Sequence, residues 1–277
     1  MKFRTLVGAA MMVAVAAVLI GTASIASAAN SGATAYTCTG GIRSGPDPST
    51  WTFVPIPSGT YSSLTVNGVC IVLPGTVINV VGNVNVAAGA VFNAQTFSST
   101  ITVGHNVTAG SGALLGLGCL PNPTGHTTGH PCTVGDPTAS SDITVNGNVF
   151  ALAADTVLLN GITVNGNVVL TRGGGQIPWS IKDNTIGGNL AVSDMTPNWI
   201  GVIRNNIGGD AILTNIFITD GLPPNNDPNP TIRVVSNQVG RNLVCWRLAP
   251  AVAGGFPGEV NVVGGKAIGQ CANLADL

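Results

Sequence analysis

Charge is scarce in this chain. Only 8% of its 277 residues are Asp, Glu, Lys or Arg, against a usual ~25%. Ten basic and eleven acidic residues leave a net charge of −1. No basic excess exists to neutralise phosphates, which excludes an ordinary nucleic-acid binder. Aromatic residues are also few, at 5%. Ala, Glu, Lys, Leu and Arg do not dominate, which excludes a long coiled coil or helical bundle. Disorder driven by charge is excluded too, because 45% of the chain is apolar. After residue 20 no stretch is long and apolar enough to span a bilayer. What the chain has in abundance is glycine, 38 residues, about twice the usual ~7%. Together with many Val, Thr and Asn this is the composition of strands joined by frequent turns.

The first residues read as a secretory signal: Lys2 and Arg4, an apolar run over residues 6–20, then Ala26-Ser27-Ala28 as a small-residue cleavage site. Cleavage is expected after Ala28, with Ala29 as the second choice. Residues 1–28 are then the signal peptide and residues 29–277 a single domain, secreted or held in the cell envelope, with no membrane span. Cleavage removes two basic residues, so 10 − 2 = 8 basic against 11 acidic gives −3. The six cysteines, Cys38, Cys70, Cys119, Cys132, Cys245 and Cys271, all follow that site, and an even count in an exported chain reads as disulfides. Sequential pairing is favoured, 38–70, 119–132 and 245–271, because each pair brackets one local segment. The competing reading is zinc held by Cys119, His126, His130 and Cys132, but the C-x2-C pairing that marks zinc is missing. No cofactor or metal is expected.

The chain repeats itself. Ile-Thr-Val-Asn-Gly-Asn-Val stands at 143–149 and again at 162–168. Looser copies bring the total to nine, anchored at Val66, Val80, Val103, Val145, Val164, Ile186, Ile207, Val239 and Val263, at spacings of 14, 23, 42, 19, 22, 21, 32 and 24. A period near twenty with insertions is the sign of a solenoid, and the spacing of 42 leaves room for one unmatched turn. Each copy reads as strand, corner, strand, with Gly giving the corner its backbone freedom. Equal positions line up. Three after the anchor, following Val69 in the first copy, stand Asn83, Asn106, Asn148, Asn167, Asn189, Asp210, Asn242 and Lys266, and the six Asn suit an amide ladder. Two before it, Leu64, Ile78, Ile101, Ile143 and Ile162 give way to Asn184, Asn205, Asn237 and Asn261. Four and six after it the residues are small and apolar, fit to fill a narrow coil.

These corners, with the closing Asn-Gln-Val-Gly-Arg-Asn-Leu-Val-Cys and Gly-Lys-Ala-Ile-Gly-Gln-Cys segments, resemble the right-handed parallel β-helix (pectin-lyase-like) superfamily, and more narrowly secreted actinobacterial β-helix proteins of unknown function. The resemblance implies an all-β, single-stranded right-handed parallel β-helix of about nine to eleven coils over residues 36–271. It implies no one function, since β-helices carry lyases, hydrolases, adhesins and inert scaffolds alike.

Chemistry is sparse. No Gly-x-Ser-x-Gly elbow occurs after residue 28, and Gly173-Gly174-Gly175 lacks the ending of a phosphate loop. Asp183 with Arg204, and Arg172 with Asp194, share register on adjacent copies and read as ion pairs. Asp183, Asp194 and Asp210 are the only carboxylates dense enough to try as a polysaccharide lyase or hydrolase site. Trp179, Trp199 and Trp246 are candidates for a sugar-stacking platform, although core or loop anchoring suits them better. A threonine row before the anchors (Thr65, Thr102, Thr144, Thr163, Thr185) is broken by Asn79, Asn206, Gln238 and Val262. Five after the anchors, Phe150, Val169, Ala191, Ile212, Val244 and Ile268 should face outward yet are apolar. Either they form a contact surface or a terminal segment or the loop around Pro223 covers them. The reading is a non-catalytic extracellular or envelope structural or adhesive protein, its partner an extracellular polysaccharide or an envelope protein. The alternatives are a carbohydrate-binding module and a glycan-cleaving enzyme.

Overall fold

The computed structural model describes residues 32–123, 129–220, 228–254 and 258–276. The expected signal peptide lies outside them. Residues 33–277 form one compact unit. The only helix among the described residues is a single 3-10 turn, Pro48–Thr50. Everything else regular is strand, and every strand pairs in parallel, in one sheet of 20 strands and one of nine. The chain is a parallel β-solenoid.

The large sheet holds two columns of strands, joined by the long strand Gly59–Val66. Its first part, Gly59–Tyr61, pairs with Val77–Val80, while its last part, Leu64–Val66, pairs with Val84–Val86. The nine-stranded sheet is a third column, running from Val54–Ile56 to Val252–Ala253. The chain visits the columns in turn: Val77–Val80 in the first, Val84–Val86 in the second, Val91–Ala94 in the third, then Thr100–Val103 back in the first. Each copy is thus three strands and not two. The third escapes a search for alternation because its strands, such as Val69–Val72 and Leu114–Leu117, are buried on both faces and so read as unbroken apolar runs.

The register confirms eight of the nine anchors. Val80 pairs with Val103, Val103 with Val145, Val145 with Val164, and so on to Val263. The first anchor is corrected. Tyr61, not Val66, lies beside Val80, so the odd spacing of 14 becomes 80 − 61 = 19. Val66 belongs to the second column, opposite Val86, and Thr60, not Thr65, begins the threonine row. The spacing of 42 hides no further turn, because Thr100–Val103 pairs directly with Asp142–Val145. The extra length lies between Leu117 and Asp142, where the described residues, 118–123 and 129–141, contain no strand and Cys119 is bridged to Cys132. The disulfides are the sequential set: Cys38–Cys70, Cys119–Cys132 and Cys245–Cys271.

Two amide ladders tie successive coils together, with opposite polarity. At the corner between first and second columns, each Asn accepts from the next coil. Asn148 N and Nδ2 bond Asn106 Oδ1 at 2.9 and 3.0 Å, and Asn167 repeats this on Asn148. Asp210 serves as a ladder member, accepting from Asn242 N and Nδ2. These residues are half-buried or exposed. The second ladder is fully inside. Asn184, Asn205, Asn237 and Asn261 are at most 2% exposed, and each of the first three donates to the next one's Oδ1. Their second amide hydrogens meet the carbonyls of Leu159, Ile181, Val202 and Val234. The corner there has only two residues between strands, the first in the left-handed region: Asp183, Arg204 or Ser236, with φ of 57°, 53° and 55°. So tight a corner leaves strand carbonyls to be met by a side chain, and Asn meets them.

The corner glycines have a different reason from the one expected. Gly166, Gly187, Gly208 and Gly240 do not adopt positive φ. They are needed because coils touch there: a Cβ on Gly208 would stand 2.5 Å from the Gly187 carbonyl oxygen, and one on Gly240 would stand 2.4 Å from that of Gly208. Gly208→Ala should therefore cost about 1–3 kcal/mol through forced backbone displacement, read as a lower chemical-denaturation midpoint with unchanged slope. An unchanged midpoint would contradict this tight contact.

Candidate functional site

The outward face of the second column carries the expected apolar row. Phe150, Val169, Ala191, Ile212, Val244 and Ile268 are successive register neighbours. Phe150, Ile212 and Ile268 are 39%, 36% and 44% exposed; the other three are half-buried. Two residues further along each strand runs a second row, Leu152, Thr171, Ser193, Thr214 and Trp246, with Leu152 and Trp246 exposed. Five coil spacings give the longer row a height of about 24 Å. Neither row contains a charged residue. Of the possible covers, the segment before Gly32 and the loop around Pro223 lie outside the described residues, and the C-terminal end, described to residue 276, leaves Ile268 exposed.

This face has a polar rim. Next along the chain come left-handed residues, Ala153 and Arg172 just after their strands and Asp194, Asn215 and Arg247 inside the longer strands Leu190–Pro197, Ala211–Phe217 and Leu243–Ala249, with φ between 53° and 57°. Asp194 and Arg172 do stack, but they form no ion pair. Asn215 Nδ2 instead donates to Asp194 Oδ1 at 2.9 Å. An apolar centre edged by charge and amide groups is the anatomy of a contact surface.

The three candidate carboxylates stand at three different corners. Asp194 is on this rim, and Asp210 is in the outer ladder. Asp183, at the corner after the third column, receives a bidentate bond from Arg204, Nε to Oδ1 at 2.6 Å and Nη2 to Oδ2 at 2.7 Å. That pair is the ion pair read from the sequence.

The tryptophans are separated as well. Trp179 is wholly inside the coil, its Nε1 donating to the Asp155 and Gly174 carbonyls at 3.1 and 3.2 Å. Trp199 is half-buried against the core, with the Lys182 ammonium 5.8 Å from its ring centre. Trp246 alone presents its ring to solvent, at 61% exposed, on the second-column face. Of the zinc alternative, Cys119 and Cys132 are consumed by their disulfide, and His126 lies outside the described residues. Burial, with the Lys182 charge adding to it, pushes the His130 pKa down to about 4, so the imidazole is neutral at pH 7.

One structure was missed by the sequence reading. The 42–53 segment folds back as a flap over the third column. Ile42 and Thr52 bond each other twice at 3.0 Å, and Arg43 pairs with Asp155 and donates to the Gly112 carbonyl. Under the flap, Trp51 and the partly buried Phe53 pack on Val69, Val91 and Leu114. The signal was present in the third-column runs: an outer face as apolar as Val69, Val91, Leu114 and Leu158 needs a cover.

Fold and face together define a parallel β-solenoid with an exposed, rimmed apolar surface on one of its three columns. Comparison of the chain with protein-family models, with curated proteins and with solved structures finds no match. Among the described residues no helix is long and apolar enough to cross a membrane.

Proposed function

We propose that the chain is a non-catalytic structural or adhesive β-solenoid of the extracellular space or cell envelope, and that it works through the outward face of its second column. The observation that carries this is the uncharged row from Phe150 to Ile268, half-exposed on hydrogen-bonded parallel strands. Paired strands are already ordered before contact, so binding there loses little conformational entropy. The same proposal takes the signal at residues 1–28 as cleaved and the domain as residues 29–277. It takes the solenoid as right-handed, by the rule for parallel connections, with about nine to eleven coils, and as related to the pectin-lyase-like β-helices. Three disulfides suit an oxidising compartment.

Trp246 favours a second reading, a carbohydrate-binding module, because an exposed ring face suits a pyranose. Both readings use one face, and one experiment addresses it. The oxidised chain from Ala29 and its Ile212→Lys/Ile268→Glu variant are passed over immobilised envelope polysaccharides and envelope proteins of the producing organism. Both sites are exposed, so the variant should keep its stability within about 1 kcal/mol. Retention of the parent and loss of retention in the variant are expected. Equal retention of the two would contradict the assignment of this face. Retention on a polysaccharide that Trp246→Ala alone abolishes would favour the second reading.

A further inference from the structure

Between the flap and the third column lies a partly open cavity of about 210 Å³. Trp51, Phe53, Leu114 and Leu158 are among the walls; the polar groups on its lining are Asn93, Gln95, His130 and Thr133, whose hydroxyl is used on the Gln95 carbonyl at 3.3 Å. We infer that this cavity is a binding site for a small, uncharged bicyclic or aromatic molecule that carries an acceptor oxygen.

Size sets the first term. Aliphatic cavities of about 150 Å³ accept benzene, so this one has room for a second small ring. Its walls are aromatic and aliphatic, the usual lining of a small-molecule site. They are also held in place. Arg43 sits 4.9 Å from the centre of the Trp51 ring and is anchored to Asp155, while Trp51 Nε1 donates to the Gly45 carbonyl at 3.0 Å.

The polar lining sets the second term. The Gln95 amide nitrogen contacts His130 Nε2. With the amide set so that its nitrogen faces the ring, that nitrogen donates, Nε2 accepts and the neutral ring carries its hydrogen on Nδ1. Among the described residues that Nδ1–H has no partner. Asn93 Oδ1 accepts from the Gln95 backbone N–H at 3.1 Å, and its Nδ2 has no partner among them either. Two unused donors beside an apolar chamber call for an acceptor, and a carbonyl oxygen has two lone pairs to meet them. A saccharide fits poorly, since most of its hydroxyls would be buried against hydrocarbon without partners.

The site is on a different column from the proposed contact surface, so either assignment can fail alone. The test compares 1-indanone with indane, which share a ring shape and differ by the carbonyl. Binding to the intact oxidised chain is followed by calorimetry and by the indole N–H resonance of Trp51. Indanone is expected to shift that resonance and to bind about tenfold or more tightly than indane, the worth of a well-made hydrogen bond. Asn93→Leu or His130→Phe, whichever retains the parent's thermal midpoint, should bring indanone down to the affinity of indane. Equal affinity of the two probes for the parent chain would overturn the inference, as would no shift of Trp51 at about millimolar probe. The comparison on the parent chain decides the matter even if both variants fail to fold.

Discussion

Trp179→Ala should lower the thermal midpoint by about 6–20 °C, while Trp246→Ala should leave it within a degree or two. The two residues are chemically identical and only their places differ. Trp179 has no exposed surface, lies in the shared core, and satisfies two backbone carbonyls through one N–H. Its removal opens a large cavity between coils and leaves both carbonyls without that donor. Losses of about 3–5 kcal/mol are usual for such a site, and a domain of this size loses about 2–4 °C per kcal/mol. Trp246 stands on the outer wall at 61% exposed, where truncation costs little. Calorimetric scans of the oxidised variants check both. Equal shifts would mean that the two tryptophans share an environment, contrary to this packing.

The inner ladder makes the second strong expectation. Asn205 holds four hydrogen bonds with its side chain. It donates to Ile181 O and Asn237 Oδ1, both at 2.9 Å, and accepts from Asn184 N and Nδ2 at 3.1 and 2.9 Å. Asn205→Leu is nearly isosteric but strands the Ile181 carbonyl and both Asn184 donors where water does not reach. At about 1–3 kcal/mol per stranded group, offset by leucine burial, the net loss is about 2–5 kcal/mol. Asn167→Leu removes a comparable pair of contacts, with Asn148 Oδ1 and Asn189 N, but at a half-buried corner where water substitutes. Its cost should be about 1 kcal/mol. Urea denaturation of the two variants side by side checks the ordering. A larger loss for Asn167→Leu would place the ladder that matters most at the outer corner.

The sequence showed the stack because the fold is one-dimensional. Each coil meets only its neighbours, so equal positions in the repeat become neighbours in space. That is why the Ile162 to Asn184 switch, the apolar row from Phe150 and the Asp183–Arg204 pair were all legible from spacing alone. The Leu64 copy misled because Leu-Thr-Val-Asn-Gly has the right letters in the wrong column, and only pairing with Val84 reveals it. The third strand was hidden by its own burial. A strand covered on both faces has no alternation to find, and the Leu114–Leu117 run looks like any apolar segment. The flap was hidden for another reason: Arg43 meets Asp155 across 112 residues, and nothing local in Arg-Ser-Gly-Pro announces a partner so far away. The corner glycines were found for the wrong cause, because contact between coils leaves no trace in one copy of the repeat.

The central claim is that this wall binds and does not cut. Its most direct test incubates the oxidised chain from Ala29 with soluble and envelope polysaccharides, with and without calcium, and analyses the supernatant by mass spectrometry. The account predicts no oligosaccharide in any supernatant, because Asp183, Asp194 and Asp210 stand at separate corners. Release of oligosaccharides that Asp183→Asn, Asp194→Asn or Asp210→Asn abolishes would contradict it and make the solenoid an enzyme.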